Sequence, residues 1–239
     1  MTVIEHLEEL RWRIFKSLGA VLAAAIAIFA FHAPIIHLLE RPLHRPTGPL
    51  GLPPLDVVLI FTGPGEYFVA VIKLSLLGGL YLALPVLLYQ LLAFVGPGLL
   101  SHERRLAIPT VTGAFVLFTA GMVFAYFLML PAGLQFLVGF APPEVKPMLS
   151  IGKYLGFSGG LMFATGLSFE LPLFLLAASA LGLVTSYSLA EHRRSAVVVA
   201  LILAALLTPS VDIFSQIVLG AALYGLFEFS LLLIRLTGK

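Results

Sequence analysis

Polar positions in this sequence fall in short clusters, and six apolar stretches run between them. The first stretch, Ser17 to Leu39, carries no formal charge and is long enough for one helix across a hydrocarbon core of ~30 Å. Glu40 to Pro46, dense in charge and proline, and the Pro/Gly-broken region to Gly65 predict a loop outside the bilayer. Within that loop Leu55 to Phe61 is too short to span and suits the interface. The second stretch, Phe68 to Phe94, predicts a tilted or over-long span with Lys73 snorkelling near its start, a kink at Pro85 and an end at Gly96-Pro97-Gly98. The third runs from Leu106 and is expected to stop at Leu130, before Pro131, and the fourth runs from Tyr154 to Leu183. Gly152, Gly156, Gly160 and Ala164, spaced by four, predict close approach of another helix at its start. The last two stretches read as short. Ala196 to Leu207 falls below the ~20 residues of an ordinary span, and Ile213 to Ile234 is interrupted by Gln216 and Glu228. Two short helices in succession predict a locally thinned bilayer.

Composition agrees with this pattern. Of 239 residues, 60% are hydrophobic and 11% charged, with a mean hydropathy of +1.06, too apolar for a soluble domain to cover with polar surface. The chain is expected to be an all-α polytopic membrane protein of six transmembrane helices, forming one domain over residues 1–239. The net charge of +2 implies no nucleic-acid partner. With no cysteine there is no disulfide or thiolate chemistry. The first apolar run is too long, and too acidic ahead of it, for a cleavable signal peptide, so it is expected to stay as the first span. Arg11, Arg13, Lys16, Arg104, Arg105, Arg193, Arg194, Arg235 and Lys239 share one side of a six-span topology, against Arg41, Arg45, Lys146 and Lys153 on the other. This bias places both termini in the cytoplasm.

Catalytic and metal motifs are not found: there is no His-Glu-x-x-His pair, no Gly-x-Ser-x-Gly elbow and no phosphate-binding glycine loop. No catalytic residue, metal ligand or cofactor is predicted. The charged residues that stand near hydrocarbon are the informative ones. Glu5-His6-Leu7-Glu8-Glu9-Leu10-Arg11-Trp12-Arg13 precedes the first span, with Leu7, Leu10 and Ile14 on one helical face, and reads as an interfacial helix that receives a basic partner. Glu9 and Glu103 fall on one side of the membrane. Each can be neutralised locally, Glu9 by Arg13 four residues on and Glu103 by Arg104 and Arg105, or the two together can receive a pair of guanidinium groups. Phe94 reads as an interfacial aromatic. Glu170, in Ser168-Phe169-Glu170-Leu171-Pro172, is a mid-membrane carboxylate that must face protein, water or a partner: a proton site, a polar anchor for a substrate helix, a group that wets the bilayer locally, or a structural hydrogen bond that locks helix packing around Pro172. Gln216 needs another helix to satisfy its amide, and Asp212 one turn earlier suits a helix N-cap.

These residues resemble the TatC family, the polytopic receptor subunits of the twin-arginine protein translocase. The resemblance rests on His6 to Arg13, Leu84-Pro85-Val86-Leu87-Leu88-Tyr89-Gln90, Phe94 with Gly96-Pro97-Gly98, and His102-Glu103-Arg104-Arg105. It continues through Ala125-Tyr126-Phe127, Ser168 to Pro172, Thr208-Pro209, Asp212 and Phe214-Ser215-Gln216. It implies a glove-shaped six-helix protein in the inner (cytoplasmic) membrane with a concave groove around the intramembrane glutamate, here Glu170. It further implies that Glu9 and Glu103, with Phe94 beside them, bind twin-arginine signal peptides of folded cargo. Gln216 matches a position associated with docking of small single-span Tat subunits, and the receptor is expected to self-associate and to work on the proton-motive force. On the residues alone two other classes stay open: a proton-coupled secondary transporter using Glu170, and an intramembrane enzyme, for which no nucleophile–base pair is found.

Overall fold

The computed structural model describes residues 3–45, 49, 51–55, 57–95, 107–142, 144–145, 147–208 and 213–236, and they are mostly helical. The elements are α1 (Val3–Ala30), α2 (His32–His44), β1 (Val58–Ile60), α3 (Glu66–Val95), α4 (Ala107–Phe124), a π-helical turn (Ala125–Met129), α5 (Leu130–Gly139), β2 (Met148–Ser150), α6 (Ile151–Ser168), α7 (Leu171–Ala180), α8 (Ser186–Glu191), α9 (Arg193–Leu207) and α10 (Ile213–Leu236). Among the described residues, five helical segments are long and apolar enough to cross a membrane: Ile4–Ala30, Glu66–Phe94, Ile108–Gly139, Ile151–Ala180 and Ile213–Leu236. Many of their large apolar side chains, Ile26, Phe68, Val116, Phe174 and Ile217 among them, are exposed, as a lipid-facing surface requires.

The chain divides into two compact units, Met1–Leu38 with Phe61–Val116, and Leu39–Ile60 with Leu117–Lys239. In the first, α1 packs along α3. Glycine makes this possible: a Cβ on Gly79 would stand 2.7 Å from the Ala25 backbone nitrogen. Phe29 meets Phe68 edge-on across the same pair, and Tyr81 stacks on Phe115 of α4 at 5.3 Å. The first helix does not run on to Leu39 as the charge-free stretch suggests. Pro34 has no N–H for the Ala30 carbonyl, so the chain turns at Phe31 and restarts as α2.

In the second unit the core is built from Phe118, Met129, Leu130, Leu155, Leu161, Leu219, Leu231 and Ile234, all essentially inaccessible. Here Pro131 does not stop the third span. Leu130 N–H bonds the Ala125 carbonyl, five residues back, and this π turn carries the helix past the proline to Gly139. The Pro172 ring acts more sharply: it cannot donate to the Ser168 carbonyl, and the fourth span breaks at Phe169–Glu170 into α6 and α7. α7 ends in a Schellman turn, with Gly182 at φ +74°, Leu183 N–H on the Ala178 carbonyl (2.9 Å) and Gly182 N–H on that of Ser179 (3.0 Å).

Three further expectations change. Leu55 to Phe61 is not simply an interfacial segment, because Val58–Ile60 pairs in parallel with Met148–Ser150. The glycine stripe of α6 is not a close-packed seam: a Cβ on Gly156 or Gly160 would meet nothing within 4 Å. The tight approach lies further on, where a Cβ on Gly121 would come within 2.8 Å of Gly166 Cα and one on Gly166 within 2.6 Å of the Phe118 ring. Finally, only one of the last two helices is short. α9 has 15 residues, about 22 Å of rise, whereas α10 has 24, about 36 Å. α10 continues through Glu228 because that carboxylate is satisfied by Tyr224 and Arg193.

Candidate functional site

The start of α1 and the end of α3 meet in the first unit and bring together residues that the sequence keeps some eighty positions apart. His6 stacks on Phe94 with ring centroids 4.3 Å apart and planes 14° off parallel. One turn along α1, Glu9 Oε1 accepts from Arg13 Nε (2.9 Å) and Nη2 (2.5 Å), and Arg13 Nη1 donates to Gln90 Oε1 (3.1 Å). Local neutralisation of Glu9 by Arg13 is therefore formed, and Gln90 fixes the far side of the guanidinium. Both side chains are about one-fifth exposed. The second carboxylate oxygen is treated differently. Glu9 Oε2 is buried and has no hydrogen-bond partner among the described residues; His6 Nδ1 stands 3.8 Å from it, beyond hydrogen-bond reach. A half-satisfied carboxylate beside an aromatic–imidazole stack is suited to accept one further charged donor. Glu103, its expected companion, lies outside the described residues, as does Asp212. Along α1, Leu7, Trp12 and Ile14 are exposed, with Arg11 5.9 Å over the Trp12 ring, which suits a helix lying against lipid headgroups.

The second unit holds Glu170 at the break between α6 and α7. It is 7% exposed, its main chain continues the turn to Leu167, Leu173 and Phe174, and its side chain does not cap α7. Glu170 Oε1 is buried with no hydrogen-bond partner among the described residues. Of the four roles open to Glu170 from sequence, the packing hydrogen bond is thus not seen at this oxygen. Gln216, at the start of α10, donates from Nε2 to the Leu201 carbonyl of α9 at 3.4 Å. Its predicted neighbour is indeed another helix, and Gly220, one turn on, lets the Leu201 side chain come to 2.8 Å of where a Cβ would be. No group of three or more His, Asp or Glu able to hold a metal ion occurs among the described residues.

Two further contacts join residues that lie far apart in the chain. Gln90 is a buttress of the Glu9–Arg13 pair, a role that shows only when α1 and α3 are packed together. Glu228 joins a three-residue network, taking Tyr224 Oη at 2.9 Å and Arg193 Nη2 at 2.8 Å, so that α9 and α10 are tied at one end. Nothing in a spacing of 35 residues signals that pair.

Comparison with known proteins gives one family throughout. The model of the family described as Sec-independent protein translocase protein (TatC) matches residues 5–221. The Sec-independent protein translocase protein TatC of Synechocystis is 39% identical over 239 residues, covering 100% of this chain and 90% of that protein. The chloroplastic TATC protein of Arabidopsis thaliana is 40% identical over 239 residues, all of this chain and 68% of its own length. Among solved structures, a crystal structure of the twin-arginine translocase receptor TatC in DDM matches with a TM-score of 0.79 at 35% identity, over 96% of this chain and 99% of that one.

Proposed function

The chain belongs to the TatC family of Sec-independent protein translocase proteins, a transport component and not an enzyme, and from that membership we propose that it is the subunit that recognises twin-arginine signal peptides. The observation that carries this reading is the state of Glu9: Oε1 taken by Arg13, Oε2 buried and without a hydrogen-bond donor among the described residues. An incoming guanidinium supplies what that oxygen lacks, and a second arginine pairs with Glu103. The fork geometry of arginine suits such carboxylates better than the point charge of lysine. Phe94, stacked on His6, forms the apolar wall beside the pair.

In this reading the whole chain works as one domain in the inner (cytoplasmic) membrane with both termini in the cytoplasm, and its helices form the glove-shaped groove that takes the apolar segment of the signal peptide near Glu170. Single-span Tat subunits dock against α9 and α10 at Gln216, receptor copies self-associate, and the proton-motive force drives passage of folded cargo. The test is binding of a labelled signal peptide to the purified protein, paired arginines against paired lysines, on wild type and on Glu103→Gln. Tighter binding of the arginine form, lost in the variant, is expected. Equal binding of both peptides to both proteins would remove the receptor role.

A further inference from the structure

The second unit contains an apolar cavity of about 280 Å³ walled by Leu171 and Leu175 of α7, Ala196, Val199 and Leu203 of α9, and Phe227 of α10, with His192 and Ser195 at one end. Its origin is the small inward face of α9. Ala200 and Ala204 are buried, while Val199 and Leu203 of the same helix are exposed, so the cavity opens toward the lipid-facing side. We infer that this cavity holds one acyl chain of an anionic phospholipid, whose headgroup rests on the arginines at the amino end of α9.

Two observations support that occupant. From His192 to Leu203 the lining follows α9 for about 16 Å, close to one leaflet of a ~30 Å hydrocarbon core. The charges at the headgroup end favour an anion. Glu228 is already satisfied by Arg193 and Tyr224, Arg194 is exposed and has no partner among the described residues, and Arg235 lies two turns beyond Glu228. Three arginines, Arg193, Arg194 and Arg235, thus accompany two acids, Glu228 and Glu191, along these segments. The His192 imidazole is held in place by its Nδ1–H on the Ser188 carbonyl at 2.8 Å, which keeps the mouth ordered.

The site is tested with the full-length protein in vesicles of phosphatidylcholine and phosphatidylglycerol. A Phe227→Trp reporter is placed in a Trp12→Phe background, which leaves one indole at the cavity wall. Chain-brominated phosphatidylglycerol is expected to quench that indole with about fivefold higher apparent affinity than brominated phosphatidylcholine, the difference one basic residue makes to an anionic lipid. Arg194→Gln, a surface change that leaves the fold intact by circular dichroism, is expected to abolish the preference, and Ala200→Phe to reduce quenching by both lipids. Equal quenching by the two lipids in the parent would make the cavity ordinary lipid-facing surface. Displacement of the brominated lipid by a twin-arginine signal peptide would make it a peptide site. Either result overturns the inference, and neither touches peptide binding at Glu9.

Discussion

At the start of α1, Glu9 gives one oxygen to Arg13 and keeps the other bare, while at the α6–α7 break Glu170 is 7% exposed with Oε1 bare and no cation beside it in any described contact. The first carboxylate is aimed by its own chain, through Arg13, so an added cation meets a fixed target. The second is positioned by backbone alone, through Pro172, and owes little of its placement to its own chemistry. A paired acid presents a fixed geometry to a further donor, whereas the buried Oε1 of Glu170 has no hydrogen-bond partner among the described residues.

Replacing Glu9 should have the largest effect. Glu9→Gln is expected to cost a twin-arginine peptide about 2–5 kcal/mol of binding, the range for truncating one member of a desolvated charge pair, read by anisotropy of a labelled peptide. Unchanged affinity would mean that Arg13 alone claims the carboxylate. Glu170→Leu should act in the opposite sense on stability: removing an unsatisfied buried polar group is expected to raise unfolding stability in detergent by about 1–3 kcal/mol while transport is lost. A lower melting temperature would show that the carboxylate is satisfied after all. Gln90→Leu removes one acceptor from Arg13 and should reduce stability by about 1 kcal/mol, with peptide affinity shifted less than in Glu9→Gln. The smallest effect is expected from Arg193→Gln. Arg193 is 45% exposed, and such a pair is worth at most ~1 kcal/mol in an unfolding measurement; a larger loss would make the α9–α10 tie a structural mainstay.

How far each region could be read beforehand follows from the range of the interactions that build it. The Glu9–Arg13 pair is set by one helical turn, and it was visible as a spacing. The break at Glu170 is likewise local, since a proline two residues on forces it, although the sequence reads equally well as one continuous span. Pro131 shows the limit of that rule, because a π turn absorbs the missing donor and the helix proceeds. The β1–β2 pairing joins segments ninety positions apart and only three residues long, too brief to leave a period-2 pattern. Small-residue spacing in α6 pointed to the wrong glycines, since close approach depends on the facing helix: Gly166 meets Gly121, while Gly156 and Gly160 meet nothing. Glu228 looked like an end to the apolar run. Its charge is instead matched by Arg193 from another helix, and α10 keeps its full length.

The most direct measurement is a double-mutant cycle between receptor and peptide: a twin-arginine signal peptide and its twin-glutamine counterpart, each titrated against wild type and Glu9→Gln. If the bare Glu9 oxygen receives a guanidinium, the two changes are coupled by about 1.5 kcal/mol or more. Effects that add to within about 0.5 kcal/mol would contradict it, and would leave Glu9 as a purely structural partner of Arg13.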